Sequence, residues 1–156
     1  MSKKRFSSRS QYPHRQGPDG KPLCRWCGSA VPGRRRSFCS QACVDEYLVR
    51  RSPSWVRRLL RNRDKGVCAL CGLDTLWLRR AVLAIRRRHG QIAYKRAETR
   101  LSARGFNVDR RNYWDADHIV PVSEGGGECG LDNYRTLCQP CHKRETAKLK
   151  RKQRLR

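Results

Sequence analysis

A carboxylate and an imidazole are adjacent at Asp117 and His118, in a chain of 156 residues. Asn133 follows 15 positions after His118, and His142 follows 9 positions after Asn133. An imidazole near its ordinary pKa can take a proton from water at neutral pH, and a carboxylate together with a histidine can bind a divalent cation. These residue types suit phosphodiester hydrolysis, which needs an activated water and a Lewis acid on the phosphate.

Eight of the nine cysteines fall in four close pairs. A C-x2-C pair places two thiolates on one tight turn, so that both sulfurs can reach a single zinc ion at about 2.3 Å. Two such pairs predict a closed structural zinc site with the ligands Cys68, Cys71, Cys138 and Cys141. A C-x2-C pair followed by a C-x3-C pair predicts a second structural zinc with the ligands Cys24, Cys27, Cys39 and Cys43. Spacing alone leaves other groupings of these eight open, and Cys129 is read as a thiol outside both sites.

The charge of the chain is strongly unbalanced. Thirty-seven Lys and Arg residues against 13 Asp and Glu give a formal net charge of +24. Such a fold repels itself unless a polyanion screens it, so nucleic acid is the expected partner, with DNA and RNA both open on charge alone. A membrane-surface binder is the weaker alternative, because no basic amphipathic helix with a bulky aromatic face stands out.

The longest aliphatic run, residues 81–85, is far too short for a bilayer span, and the N-terminus lacks the apolar stretch of a signal peptide. We therefore expect an intracellular protein, in the cytoplasm or nucleoid, with no membrane contact. In a reducing compartment paired cysteines are more often metal ligands than disulfides, which favours the two zinc sites.

The residues around the Asp-His pair resemble the HNH (His-Me finger, ββα-metal) nuclease motif. The resemblance is carried by WDADHIVPV at residues 114–122, EGGG at 124–127, LDNYRTLC at 131–138 and CH at 141–142. It covers about residues 66–147. With FCSQAC and RDKGVCALCG, the chain from about residue 24 to 147 is also similar to the C-terminal nuclease module of vertebrate annealing helicase–endonucleases. The chain has no helicase motor and no G-x4-GK[ST] sequence, so only nuclease chemistry is implied.

The resemblance implies that His118, Asn133 and His142 are catalytic residues, with His118 as the general base. Asp117 and His142 would bind the catalytic divalent ion, while Asn133 either orients His118 or joins the coordination sphere. Some relatives carry a second histidine four positions further along the helix, where this chain has Thr146. The poorer nitrogen supply favours Mg²⁺ or Mn²⁺ over tightly held Zn²⁺.

The resemblance also implies DNA as the substrate, gripped through its phosphates without sequence readout. Arg135 is a candidate phosphate contact because a guanidinium matches phosphate oxygens, and Lys143 and Arg144 on the last helix are further candidates. A single site per chain predicts nicking.

Two alternatives to an endonuclease remain open. One is a non-catalytic zinc-ribbon protein that binds nucleic acid, in which Asp117 and His118 are incidental and His142 is another zinc ligand beside Cys141. The other is a subunit of a larger DNA packaging or repair machine, active only with its partner protein.

The elements that must position these residues predict an α+β fold: a small, zinc-stabilised, treble-clef-like ββα core with an N-terminal zinc finger and basic helices. We expect a disordered basic arm at residues 1–22, a zinc finger at 23–50, a nuclease domain at 51–147 with a helical insert at 73–105, and a basic tail at 148–156 whose far end is unfolded until it meets phosphates. Ser40 and Ser52 are predicted helix caps, the insert should contain two helices separated near Gly90, and strand, strand and helix should follow from Tyr113.

Overall fold

The computed structural model describes residues 15–155. In chain order its elements are β1 (Arg15–Gln16), β2 (Pro22–Leu23), α1 (Gln41–Val49), α2 (Pro53–Asp64), α3 (Thr75–Ala103), β3 (Trp114–His118), β4 (Tyr134–Cys138) and α4 (Gln139–Arg154). Short 3₁₀ turns at Val122–Glu124 and Leu131–Asn133 lie in the connection between β3 and β4. Helices and strands in this order confirm the predicted α+β class. Within residues 15–155, no helix is long and apolar enough to cross a membrane.

The β3–β4 hairpin is the centre of the fold. The strands pair antiparallel, with Trp114 opposite Cys138, and successive side chains point to opposite faces. On one face Trp114 packs with Leu60 of α2. On the other face Leu137 packs with Val82 of α3 and Cys141 of α4. The sheet is therefore enclosed by helices on both sides.

Local sequence signals fix the first two helices. The Ser40 hydroxyl accepts a hydrogen bond from the backbone N–H of Cys43 at 3.2 Å, and the Ser52 hydroxyl accepts one from that of Trp55 at 3.3 Å. Each bond satisfies a donor that has no partner within its helix. Pro53 begins α2, where a missing N–H costs nothing. Both caps agree with the prediction.

The long helix α3 is broken at Gly90, whose backbone angles (φ 77°, ψ −175°) are non-helical and suit glycine. Residues 75–89 and 91–103 fold back on each other. A contact between the two arms shows this, since the guanidinium of Arg86 lies 5.5 Å from the ring centroid of Tyr94. Val82 and Leu101, one from each arm, belong to the same core. The insert is a helical hairpin, as the interrupted periodicity predicts.

Three segments differ from expectation. The predicted arm is ordered in part, because residues 15–16 pair with residues 22–23 through a turn at Gly20; residues 1–14 of that arm lie outside the described residues. The predicted second strand is shorter, with Leu131–Asn133 forming a 3₁₀ turn instead. The predicted basic tail is helical to Arg154, since Lys152 pairs with Glu124 at 2.6 Å and Gln153 bonds to Ser123 at 3.0 Å.

Candidate active site and metal centres

A cavity of about 700 Å³ lies where the end of β3, the start of β4, the loop after β3 and helix α4 meet. Its position follows from the fold, because α4 begins directly after β4 and runs back across the face of the sheet that carries Asp117. Its chemically active lining residues are Asp117, His118, Arg135, His142 and Glu145. The structure therefore brings the predicted base and both predicted metal ligands to one cavity.

Asp117 and His142 face each other across this cavity. The Nε2 atom of His142 lies 3.7 Å from Oδ1 of Asp117. Two donor atoms at adjacent octahedral positions, each roughly 2.1 Å from one divalent ion, are about 3.0 Å apart, so these two side chains would have to approach each other by about 0.7 Å. The oxygen and nitrogen donors present thus fit a divalent ion with only small side-chain adjustments.

A buried carboxylate that the sequence motifs did not single out supports His142 from behind. Asp115 is 7% exposed, and its Oδ2 lies 3.5 Å from Nδ1 of His142. Arg110 donates to both of its oxygens, at 2.6 and 2.9 Å. Burial acts to raise the pKa of Asp115, but the hydrogen bonds from Arg110 outweigh it, so the pKa lies below its usual value. A carboxylate on the second ring nitrogen is the usual partner of a metal-bound histidine.

His118 projects from the opposite face of β3. Its ring centroid lies 4.2 Å from that of Tyr134, and the ring borders both the main cavity and a second one of about 340 Å³ between the sheet and the α1–α2 junction. Its Nε2 is buried and has no hydrogen-bond partner within residues 15–155. A buried polar atom without a partner costs free energy. Asp117 and His118 therefore approach the cavity from different sides, as strand alternation predicts.

Asn133 bonds to the loop that follows β3. Its Oδ1 accepts from the backbone N–H of Val120 at 2.8 Å, and its Nδ2 donates to the carbonyl oxygens of Val120 and Gly126, both at 3.0 Å. These three bonds use both ends of the amide. Asn133 thus holds the loop beside His118, a contact different from either role the family resemblance implies.

The three predicted phosphate contacts each have a partner inside the protein. Arg135 bridges Asp117 at 2.9 Å and Glu145 at 3.3 Å. Lys143 donates to the carbonyl of Gly105 at 2.7 Å, and Arg144 donates to the sulfur of Cys141 at 2.9 Å. Each of these side chains therefore makes a contact within the protein in addition to any contact with a phosphate.

The sulfurs of Cys68, Cys71, Cys138 and Cys141 lie within 4.8 Å of one another and could hold a zinc ion. The 3.7 Å between Cys71 and Cys138 is close to the edge of a zinc–sulfur tetrahedron, roughly 3.8 Å, and far too long for a disulfide. Burial alone would raise the pKa of Cys68, but hydrogen bonds from the backbone of Cys138, Leu70 and Cys71 lower it to about 7. His142 points to the carboxylates instead of this cluster.

The other predicted set forms a second cluster of the same kind. The sulfurs of Cys24, Cys27, Cys39 and Cys43 also lie within 4.8 Å of one another, with 3.5 Å between Cys27 and Cys39 and 3.4 Å between Cys39 and Cys43. Among the groupings that spacing left open, the structure therefore brings together the two predicted sets of four cysteines. Among the described residues, Cys129 belongs to neither cluster.

Comparisons with known proteins agree with the geometry. Residues 105–148 match the family described as HNH endonuclease. The chain is 35% identical over 147 residues to "DNA annealing helicase and endonuclease ZRANB3" of Mus musculus and 33% identical over 148 residues to that of Homo sapiens. These matches cover 83% of this chain but 14% and 13% of the relatives, so the chain spans about one seventh of their length. No solved structure matches the chain.

The matched family region contains Asp117, His118, Asn133 and His142 together with β3, β4 and the start of α4. The similarity to endonucleases supports a nuclease-type function, and the family implies a divalent metal. The predicted family resemblance is confirmed. Residues 105–148 of this chain therefore form a domain that matches the HNH endonuclease family.

Proposed function

We propose that this chain is a metal-dependent endonuclease that hydrolyses DNA phosphodiester bonds, one strand at a time. The observation that carries the proposal is the convergence of Asp117, His118 and His142 on one open cavity. Asp117 and His118 project from opposite faces of β3, so the base and the metal ligands reach this cavity from different directions. A surface charge of +24 favours a polyanionic substrate.

In this proposal His118 takes the proton from the attacking water at a ring nitrogen. Its ring is fixed by contact with Tyr134, and the loop beside it is fixed by Asn133. Fixed geometry matters because a base contributes only when it is within hydrogen-bond reach of the proton it removes. Asn133 is therefore assigned a positioning role through the loop.

Asp117 and His142 would hold the catalytic ion, with Asp115 fixing the ring of His142. A divalent ion held there would act as a Lewis acid on the scissile phosphate and stabilise the departing 3′ oxygen. One carboxylate and one imidazole, with Thr146 in place of a second helix histidine, favour Mg²⁺ or Mn²⁺ with several bound waters.

The two four-cysteine clusters would bind zinc for structural purposes, because four protein ligands leave no open position for substrate. One cluster joins the chain after α2 to the junction of β4 and α4, directly beneath His142. Zinc there would keep the active-site helix in register with the sheet.

DNA is proposed as the substrate because the relatives named above are each called a DNA annealing helicase and endonuclease. One active site per chain supports nicking by the monomer. The competing function, a zinc-ribbon protein that only binds nucleic acid, rests on the charge and the two cysteine clusters, neither of which needs a catalytic residue.

The test is conversion of supercoiled plasmid to nicked and linear forms at low salt, with Mg²⁺, Mn²⁺ or no added divalent ion. We expect nicking that requires the ion and is lost in Asp117→Ala. The exposed Asp109 provides the matched control, since Asp109→Ala should nick at the wild-type rate. Absence of cleavage with every ion, in a protein that still binds DNA, would support the binding-only function.

A further inference from the structure

The helical hairpin α3 carries a large excess of positive charge. Residues 75–104 contain eight Arg and one Lys but one acidic residue, Glu98. That carboxylate is 9% exposed and pairs with Lys95 at 3.1 Å, while a hydrogen bond with Tyr94 holds its pKa below the usual value. The single acid is thus turned inward and leaves the outer arginines uncompensated.

Three of these arginines form a ridge along the second arm. Arg96, Arg100 and Arg104 are spaced four residues apart, which places them on one side of the helix, and all three are exposed. Within residues 15–155, none of their guanidinium groups pairs with a carboxylate; Arg104 instead donates to the carbonyl of Arg100 at 3.2 Å. Like charges at this spacing destabilise a helix, so the ridge opposes folding unless an anion binds it.

The ridge ends beside the active-site helix. Gly105, which follows Arg104, packs against Pro140 at the start of α4, and its carbonyl accepts the hydrogen bond from Lys143. Lys143 adjoins His142. The ridge therefore ends next to the first turn of α4, the helix that carries His142.

We propose that Arg96, Arg100 and Arg104 bind the DNA backbone outside the cleavage site and extend the bound region. Eight residues of helix span about 12 Å. At 3.4 Å per base pair this corresponds to roughly three or four base pairs. Contacts of this kind add affinity without reading sequence. The inference rests on the proposed DNA substrate and names a second surface for it.

The test measures binding of a 40-base-pair duplex by fluorescence anisotropy over a range of salt concentrations. The protein carries His118→Ala so that DNA stays intact, and no divalent ion is added. We expect Arg96→Gln, Arg100→Gln and Arg104→Gln together to weaken binding about tenfold. They should also reduce the slope of log K against log salt by about two to three, because each lost phosphate contact removes about 0.9.

Two control variants separate the ridge from charge and from damage to the fold. The same three positions changed to Lys keep the charge and should bind like the parent. The second control changes three exposed arginines of the N-terminal unit to Gln, namely Arg34, Arg35 and Arg36. This variant loses the same charge as the ridge Gln variant but should lose much less DNA affinity. Unchanged DNA affinity in the ridge Gln variant would overturn the inference. So would a loss of affinity in the Arg34–36 control, or in the Lys variant, as large as that in the ridge Gln variant.

Cleavage distinguishes this inference from the proposed function. In a chain with intact His118, the ridge Gln variant should nick plasmid at the wild-type rate when DNA is saturating and more slowly when DNA is dilute. If the ridge Gln variant cleaves at the wild-type rate and binds DNA with unaltered affinity, the proposed role of the ridge is wrong and the proposed nuclease function is unaffected. If DNA binding depends on the ridge but no variant cleaves DNA, the proposed role of the ridge is supported and the proposed nuclease function is wrong.

Discussion

At the scale of single residues, Asp115 is the least obvious member of the site. It contacts His142 on the nitrogen that faces away from Asp117, and Arg110 keeps it ionised. Because its pKa is lowered in the folded protein, its stabilising contribution is present above the pKa of the unfolded chain and is lost as pH falls through the folded pKa. A neutral replacement removes that charge at every pH.

We predict that Asp115→Asn weakens Mn²⁺ binding and slows cleavage by about 10–100-fold, the usual effect of losing a carboxylate behind a metal-bound histidine. Manganese binding, followed by electron paramagnetic resonance of the free ion, gives a readout independent of turnover. Asp109→Asn, at an exposed position on the loop that precedes β3, is the matched control and should change neither quantity. Normal manganese affinity in Asp115→Asn would contradict the assigned contact.

Sequence could predict Asp117, His118 and His142, because their types and spacing carry the family motif. It could also have found Asp115, since residues two apart in a strand share a face and Asp115 therefore lies beside Asp117. The partners of Arg135 and Asn133 could not be read in this way. The partners of these two side chains depend on how the β3–β4 connection and α4 pack against the sheet. Contacts between residues distant in sequence determine that packing.

At the scale of elements, one side chain binds several backbone groups of the connection between β3 and β4. Asn133 satisfies three backbone groups of this loop, and a Cβ at Gly126 would overlap the carbonyl of Val120. The close approach of the two backbone segments explains the glycine. The loop is thereby fixed directly after His118, where the base must be positioned.

We predict that Asn133→Ala lowers the free energy of unfolding by about 1–2 kcal/mol, because three hydrogen bonds are lost at a partly buried site. The cleavage rate should fall as well, while manganese binding is retained, since no ligand is removed. Denaturant unfolding and nicking assays measure the two effects. Asn62→Ala, at an exposed position on α2, is the control. Loss of metal binding in Asn133→Ala would instead make Asn133 a ligand.

Local signals predicted the elements better than their ends. Serine caps and the broken period at Gly90 act within a few residues, so α1, α2 and both arms of α3 were readable. The end of α4 was not, because the polar sequence there suggests an unfolded tail. Its order depends on Glu124 and Ser123, which lie some 30 positions away in the chain.

At the scale of the whole molecule, each cysteine cluster brings together two cysteine pairs from separate segments of the chain. We predict that Cys138→Ser reduces bound zinc from two ions per chain to one and lowers the melting temperature. Cys129→Ser, outside both clusters, should keep two ions and the wild-type melting temperature. Elemental analysis with thermal unfolding measures both. Two zinc ions in Cys138→Ser would contradict the ligand assignment.

The net charge of +24 should make stability depend on screening. Raising ionic strength from 0.1 to 1 M shortens the screening distance from about 10 to about 3 Å. We predict that NaCl in this range raises the melting temperature by about 2–4 °C, equivalent to about 1 kcal/mol in a domain of this size. The variant with Arg34, Arg35 and Arg36 changed to Gln should show a smaller rise. A melting temperature that falls with NaCl would contradict the account.

The role of His118 as the base of a metal-dependent nuclease is tested by His118→Ala in the plasmid assay with Mn²⁺. We predict that nicking falls at least about a hundredfold, the contribution of a general base, while DNA affinity and bound manganese stay at wild-type levels. Nicking at the wild-type rate by His118→Ala would show that His118 is not the base.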